Sequence, residues 1–516
     1  MSLTWQIVFF IEQPNAPKKI TVFDTTLRDG EQTPGVSFTI DQKIDIARQL
    51  SDIGVHVIEA GFPASSDAEF ETVSRISAEN LDANVCGLAR SIHADVDRCI
   101  ECGVDMVHVF IPTSEVQRIH TIKKSHHEVL DITSAIVAYA RERCDQVMFS
   151  AMDATRTQVD ALVEVYRAAV EAGATVINVP DTVGVITPSS MKALVGQIAA
   201  GVDCTIDVHC HNDFGLAVAN TIAAVEAGAS QVQVTVNGIG ERAGNADLAE
   251  TVMALEAIYG IDTGIATPRI VETSRKVARY SGISLSPTQP VVGENAFSHE
   301  SGIHSHGVIA NTSTFEPGIM TPEMVGHRRR LKLGKHAGRH AIHQMLGEVN
   351  IHPSDAQLDE IVQKVKHISG RGKRVTDSDL YEIADTIMGV NGREKAIELD
   401  DIAIITGNHI IPTASVRARV FGDERILSST GNGPVDAAMN ALLGMARIPV
   451  QLKEFNVAAI SGGTDALGHV TIAVEDEQGR IFDASSSSDD IVLASVEAMI
   501  NALNLVCRIS GNHAEK

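Results

Sequence analysis

Through the first half of the chain, short β-branched runs alternate with longer segments whose apolar positions recur at helical period. Eight runs stand out: KITVFD from Lys19, VHVIEAG from Val55, NVCGLA from Asn84, DMVHVFIP from Asp105, QVMFSA from Gln146, ATVINVP from Ala174, TIDVHCH from Thr205 and QVQVTVNG from Gln231. Their starts lie about 30 residues apart, the length of a strand, a helix and their connections. Eight such units predict a (β/α)8 barrel, a TIM barrel, of roughly 250 residues, spanning 18–280.

A doubly wound sheet of six or seven strands is the structural rival, and the polar residues weigh against it. Arg28 and Asp29 follow the first run, Glu59 lies in the second, His108 in the fourth, Ser150 in the fifth, Asp181 after the sixth, His209 and His211 in the seventh and Asn237 after the eighth. Chemistry gathered at the C-terminal ends of many strands is what a barrel mouth collects. Past the barrel the pattern changes. Residues 281–398 read as an irregular Gly-, Pro-, Ser- and His-rich connector followed by a helical subdomain (DAQLDEIVQKVKHI, SDLYEIADTIMG). Residues 399–516 hold two similar halves, SVRARVFGDERILSSTGNGPVDAAMNALL and HVTIAVEDEQGRIFDASSSSDDIVLASVEAMINAL. Each half predicts strands and one helix, a small duplicated α+β domain.

At 516 residues, 44% of them apolar, the chain has material for two or three cores. A net charge of −24 repels polyanions, so neither nucleic acid nor an anionic membrane is expected as a partner. Seven scattered cysteines build no disulfide framework and point to a reducing cytoplasm. Cys99 and Cys102 form a CxxC inside a predicted helix, which reads as core packing. The run WQIVFFI lacks a basic flank and a cleavage site, and is expected to be neither signal peptide nor membrane span. The HRRR run at His327–Arg330 reads either as a solvated basic face or as an attraction for CoA phosphates.

The sharpest local signal is HCHND, His209–Asp213. Alternate residues of a strand share a face, so the two imidazoles point together, roughly 7 Å apart along the chain. Asp29 and Asn245 stand at other strand ends that a barrel would bring to the same place. One carboxylate, two imidazoles and an amide oxygen suit Mg²⁺ or Mn²⁺, with Zn²⁺ as an alternative. In NGIGERAGN, Asn237–Asn245, the glycine spacing does not fit a dinucleotide fingerprint; it suits tight turns carrying Asn245. In FDTTLRDGEQTPG, Phe23–Gly35, Arg28 sets a cation beside Asp29, able to stabilise an oxyanion or enolate, and Glu31 lies within reach of a metal-bound water.

These motifs, with EAGFP at Glu59–Pro63, PDTVG at Pro180–Gly184 and ESGIHSHG at Glu300–Gly307, resemble those of the metal-dependent TIM-barrel condensing enzymes, the family of 2-isopropylmalate, citramalate and homocitrate synthases. The 3-hydroxy-3-methylglutaryl-CoA lyases are more distant kin. The likeness covers nearly the whole chain. It implies an acyltransferase that joins acetyl-CoA to a 2-oxo acid and then hydrolyses the thioester. Asp29, His209, His211 and Asn245 would bind the metal, and the 2-oxo acid would chelate it. Arg28 would bind the keto oxygen, His304 would be the base over the partner chain's barrel, and Glu31 would assist. His108, Ser150, Met152 and Thr182 match substrate-side positions. The duplicated tail resembles a regulatory domain that binds an end-product amino acid between subunits of a homodimer. Its matching loops are GNGPVDA, with Gly431, Gly433, Pro434, Asp436 and Ala437, and GGTDA, with Gly462, Gly463 and Asp465.

One position departs from the family pattern. Many relatives carry Ser-x-Glu-Asp-Ala after the fifth strand, where this chain has Ser150, Ala151, Met152, Asp153 and Ala154. An apolar, adaptable side chain there suits a branched aliphatic acceptor. The loop GFPASSDAEF, Gly61–Phe70, resembles the branch that uses 2-oxoisovalerate and is inhibited by leucine. The branch that uses pyruvate and answers to isoleucine is the runner-up. The regulatory tail disfavours homocitrate synthesis and a retro-aldol lyase.

Overall fold

The apolar runs close on themselves. In the computed structural model, eight parallel strands form a closed barrel: β1 Thr21–Asp24, β2 Val57–Gly61, β3 Asn84–Arg90, β4 Met106–Pro112, β5 Gln146–Met152, β6 Val176–Asp181, β7 Thr205–Cys210 and β8 Gln231–Val234. The first strand meets the last in register, Thr21 opposite Gln231 and Asp24 opposite Val234, so no edge remains and the doubly wound alternative is excluded. The structure describes residues 16–299, 319–328, 330–331, 338–370, 375–389, 395–459 and 468–510.

Inside the barrel, side chains two residues apart on one strand stand in successive layers. The lower layer is an apolar plug of Phe23, Val57, Cys86, Met106, Met148 and Val176. Two residues further along β2, β4, β5 and β6 stand Glu59, His108, Ser150 and Asn178, all buried. Polar chemistry therefore begins one layer above a dry floor.

Outside, the helices bury one apolar stripe against the strands. Ile40–Asp52 begins with a capping box in which Thr39 Oγ1 accepts from Gln42 N and Gln42 Oε1 accepts from Thr39 N. Ser125 and Glu128 repeat the device before His126–Arg141. Cys99 lies in the helix His93–Glu101; it and Cys102, which caps that helix, are buried, as core packing requires. The barrel unit runs on to Phe297 and includes 316–329.

The second unit comprises 298–315 and 330–516. It opens with a short parallel pair, β9 Ser298–His299 and β10 Arg330–Leu331. Helices Arg339–Glu348, Asp355–Gly370 and Asp377–Ile387 follow. The duplicated halves then appear as two three-stranded antiparallel sheets. One is β11 Ile397–Gly407, β12 Ile410–Val420 and β13 Asp423–Thr430 with helix Pro434–Ala446; the other is β14 Val450–Ala459, β15 Gly468–Asp476 and β16 Ile481–Ser488 with helix Ile491–Ser510. Both helices share one core with the three preceding helices, through Ile342, Leu346, Ile361, Leu442, Met499 and Leu503 among others. Ile491–Ile509 is long and apolar enough to span a membrane, yet 61% of that window is buried within the fold, as befits a core helix. On these sheets Ile405, Ile410, Ile411, Ile426, Phe455 and Val457 are exposed.

Candidate metal centre

The polar layer of the barrel is a closed circuit of side-chain contacts. Arg28 Nε donates to Glu59 Oε2 (2.7 Å), and Glu59 Oε1 meets His108 Nδ1 (2.7 Å). His108 Nε2 meets Ser150 Oγ (2.6 Å), which donates to Asn178 Oδ1 (2.8 Å). Asn178 Nδ2 and Gln233 Nε2 both donate to Asp207 Oδ2, the latter at 2.6 Å. Gln233 Oε1 meets His209 Nδ1 (2.8 Å), His209 Nε2 lies 3.2 Å from Asp29 Oδ2, and Arg28 Nη1 reaches that same oxygen at 3.1 Å. Nine residues from seven strands or their ends thus hold one another's orientation in a low-dielectric interior, where a satisfied network is stiff.

At the open side of this circuit stand Asp29, His209 and His211, whose ligand atoms all lie within 4.8 Å of one another. His209 Nε2 and His211 Nε2 are 3.2 Å apart, and His211 Nε2 lies 3.9 Å from Asp29 Oδ2. Ligands on adjacent corners of an octahedron with bonds of roughly 2.1 Å stand about 3 Å apart, so the spacing fits one small divalent cation. Two buried oxygens here, Asp29 Oδ1 and Asn245 Oδ1, have no hydrogen-bond partner among the described residues. Orphaned oxygens at such depth are costly unless something positive faces them. Asn245 is brought beside His211 by an isolated antiparallel bridge, and its Nδ2 donates to Ile239 O (3.2 Å), which leaves Oδ1 free. The glycines make that turn: Gly244 has φ +87°, and a Cβ on Gly240 or Gly244 would overlap Asn245 Nδ2 or Gly238 O.

Electrostatics agree with a cation. Burial alone would raise Asp29, but the Arg28 guanidinium beside it holds its carboxyl well below the usual range, so it stays an anion. Burial, reinforced by His209, pushes His211 down to about 3, which leaves it neutral with a lone pair to give. Burial likewise works against the Glu59 charge, yet Arg28 and His108 bring it to about 2. The second cluster of ligand-type residues, Glu59, Cys86 and His108, is a poorer host: burial drives the Cys86 thiol up, and Glu59 is already engaged by Thr25, Arg28 and His108.

The remaining sequence candidates fall in different places. His108 and Ser150 are in the circuit. Glu31 is turned away from it: Lys43 Nζ lies 2.6 Å from Oε2, and Phe38 N donates to Oε1. Thr182 Oγ1 accepts from Asp153 N (2.9 Å), and Met152, half-buried at the end of β5, accepts Thr113 N through its carbonyl. In the tail, Gly431 and Gly433 lead into helix Pro434–Ala446, Asp436 Oδ2 accepts from Asn432 N, and Ala437 is buried. A Cβ on Gly431 would overlap Ala437 N and Asp436. His304, Gly462, Gly463 and Asp465 lie outside the described residues. Asn178, Asp207 and Gln233 were not among the sequence candidates. The signal was present, since each is a polar residue flanked on both sides by apolar ones in its strand.

Comparison with known proteins gives matches over most of the chain. Residues 19–277 match the HMGL-like family, 291–373 the homocitrate synthase post-HMGL domain-like family and 374–507 the LeuA allosteric (dimerisation) domain. A "Probable 2-isopropylmalate synthase" of Methanosarcina acetivorans is 57% identical over 504 residues, 97% of this chain and 98% of that one. The 2-isopropylmalate synthase of Methanocaldococcus jannaschii is 50% identical over 501 residues, 96% of each. A "Putative (R)-citramalate synthase" of Methanopyrus kandleri is 47% identical over 494 residues, 95% of this chain and 96% of that one. With the closed barrel, the cation-ready cluster at its mouth and the tail all accounted for, the chain belongs to the HMGL-like family, in the 2-isopropylmalate and citramalate synthase group that carries a LeuA domain.

Proposed function

We propose that this protein condenses acetyl-CoA with 2-oxoisovalerate and hydrolyses the thioester, giving 2-isopropylmalate, the first step toward leucine. The observation that carries this is the cluster of Asp29, His209, His211 and Asn245, with buried oxygens facing no partner, in a chain whose relatives at 50–57% identity bear that enzyme's name. Those four residues would hold the cation, and their mixed oxygen and nitrogen donors suit Mg²⁺ or Mn²⁺, with Zn²⁺ an alternative. A bound divalent ion supplies Lewis-acid polarisation of the keto group. Arg28, a fixed cation held by Glu59 and Asp29, stabilises the negative charge that grows on the keto oxygen during addition. His304 takes the proton from the acetyl methyl, and Glu31, whose carboxylate Lys43 holds, assists it. His108 and Ser150 orient the acceptor from the circuit, with Thr182 and Met152 on the substrate side. We assign catalysis to the barrel and effector binding to the tail, where leucine is the expected inhibitor and a homodimer the expected assembly. The Gly431–Ala437 turn is one half of that site and Gly462, Gly463 and Asp465 belong to the other.

The test is free-thiol release from acetyl-CoA against a panel of 2-oxo acids, with and without chelator. Release with 2-oxoisovalerate that is lost on chelation and inhibited by leucine is the expected result. Faster turnover of pyruvate with sensitivity to isoleucine would move the protein to citramalate synthesis. Acetyl-CoA formed from a hydroxyacyl-CoA would make it a lyase.

A further inference from the structure

The two imidazoles of the cluster are not held alike. Gln233 Nε2 has two partners, Asp207 Oδ2 at 2.6 Å and Met148 Sδ at 3.5 Å, and both are acceptors. Exchanging the nitrogen and oxygen of the amide would press two oxygens together at 2.6 Å inside a closed barrel, so the amide can face only one way. Its Oε1 is therefore the atom 2.8 Å from His209 Nδ1. An oxygen that can only accept demands a hydrogen on Nδ1, and a neutral imidazole with its hydrogen there has a bare lone pair on Nε2. That Nε2 is the atom beside Asp29 and His211. His211 Nδ1, by contrast, is buried and has no hydrogen-bond partner among the described residues.

We infer that Gln233, fixed by Asp207, is a positioning residue that keeps a hydrogen of His209 on Nδ1, so that Nε2 is the nitrogen the barrel offers to a cation. Met148 belongs to the apolar plug, and Asp207 is itself fixed by Asn178, so the setting is anchored in the barrel floor and carried by the polar circuit. This rests on the reading of Asp29, His209 and His211 as a cation site, and deepens it by naming what prepares the site.

The experiment is titration of the full-length, metal-stripped protein with Mn²⁺ alone, following free Mn²⁺ by electron paramagnetic resonance. The variants are Gln233→Leu and Gln233→Met, which remove the acceptor, and Gln233→Glu, which keeps one and, because two facing buried carboxyls share a proton, still donates to Asp207 through its other oxygen. Ring-nitrogen shifts of ¹⁵N-labelled histidine report the tautomer. Losing the partner that orients a histidine ligand weakens metal binding by roughly 10–100-fold. The expected result is a loss of that size in Gln233→Leu and Gln233→Met, with mixed tautomers at His209, and near-complete retention in Gln233→Glu. Gln233→Met nearly preserves the volume of the side chain and guards against a simple packing failure in Gln233→Leu. Equal Mn²⁺ affinity in all four proteins would overturn the inference and leave the cation site standing, as would equal losses in all three folded variants. A wild-type protein that takes up no Mn²⁺ would instead overturn the site, and the inference with it.

Discussion

Arg28 Nε and Glu59 Oε2 are 2.7 Å apart, with Glu59 fully buried and its other oxygen 2.7 Å from His108. The pair joins the loop after β1 to the middle of β2 and aims the guanidinium that Asp29 also holds. Removing one partner of a buried ion pair leaves the other uncompensated, at a cost of about 3 kcal/mol or more. Glu59→Gln is expected to lower the melting temperature by several degrees and to cut kcat at least tenfold, because Arg28 loses the anchor that points it. Mn²⁺ affinity should move much less, since Glu59 is outside the cluster. Differential scanning calorimetry, thiol release and Mn²⁺ titration separate the three effects; an unchanged kcat would contradict the role given to Arg28.

His211→Ala removes a neutral imidazole from a cluster in which Asp29 Oδ1 and Asn245 Oδ1 already face no partner. With one ligand gone, the expected outcome is loss of Mn²⁺ binding and of thiol release together, while far-UV circular dichroism stays as in the wild type. Activity in the variant that survives chelator would disprove the proposed site.

These two sites show what was legible in the chain beforehand. The barrel could be read because each strand lies in a short β-branched run with punctuation at its end, a local signal repeated eight times. Asp29, His209, His211 and Asn245 could be read because side-chain period and strand ends fix where they point. The circuit joining them was harder: Asn178, Asp207 and Gln233 each sit on a different strand, and their pairing depends on the stagger of the barrel, which no local pattern encodes. The placing of Glu31 was hidden for a similar reason. Two positions beyond Asp29 it looks like a site residue, but the turn at Gly30–Gln32 sends it to Lys43 from the following helix.

Cutting the chain near Asp400 is the obvious way to ask whether the tail carries regulation, and the fold argues against it. Ile342, Leu346, Ile361 and Val365, on helices that precede the cut, share their core with Leu442, Met499 and Leu503 beyond it. Asn504 also holds both backbone groups of Ile397. The truncated protein would expose that core and fail for reasons unrelated to leucine. Gly431→Val is the sharper test, because its Cβ would overlap Ala437 N and Asp436 and distort only the turn before helix Pro434–Ala446. Leucine inhibition measured by thiol release should weaken at least tenfold with the uninhibited rate within twofold of wild type. Unaltered inhibition would remove the Gly431–Ala437 turn from the effector site.

Asp24, at the end of β1, is fully buried, and its oxygens accept from Thr26 N (2.8 Å) and Thr26 Oγ1 (3.0 Å). Burial pushes its carboxyl up to about 7, against those hydrogen bonds and with some help from Glu59. In the unfolded chain the same carboxyl titrates near 4. Between those two values the unfolded state binds fewer protons than the folded one, so this residue makes stability fall as pH rises from about 4 to about 7, and the penalty is fully present above that. Asp24→Asn removes the titration while its amide oxygen still accepts from Thr26 N. The variant and the wild type should melt within a degree or two of each other at pH 4.5, and the variant should melt higher, by on the order of 5 °C, at pH 8. Parallel melting curves across that range would mean that Asp24 stays ionised in the folded barrel, and the charge balance at the foot of the Arg28 loop would have to be redrawn.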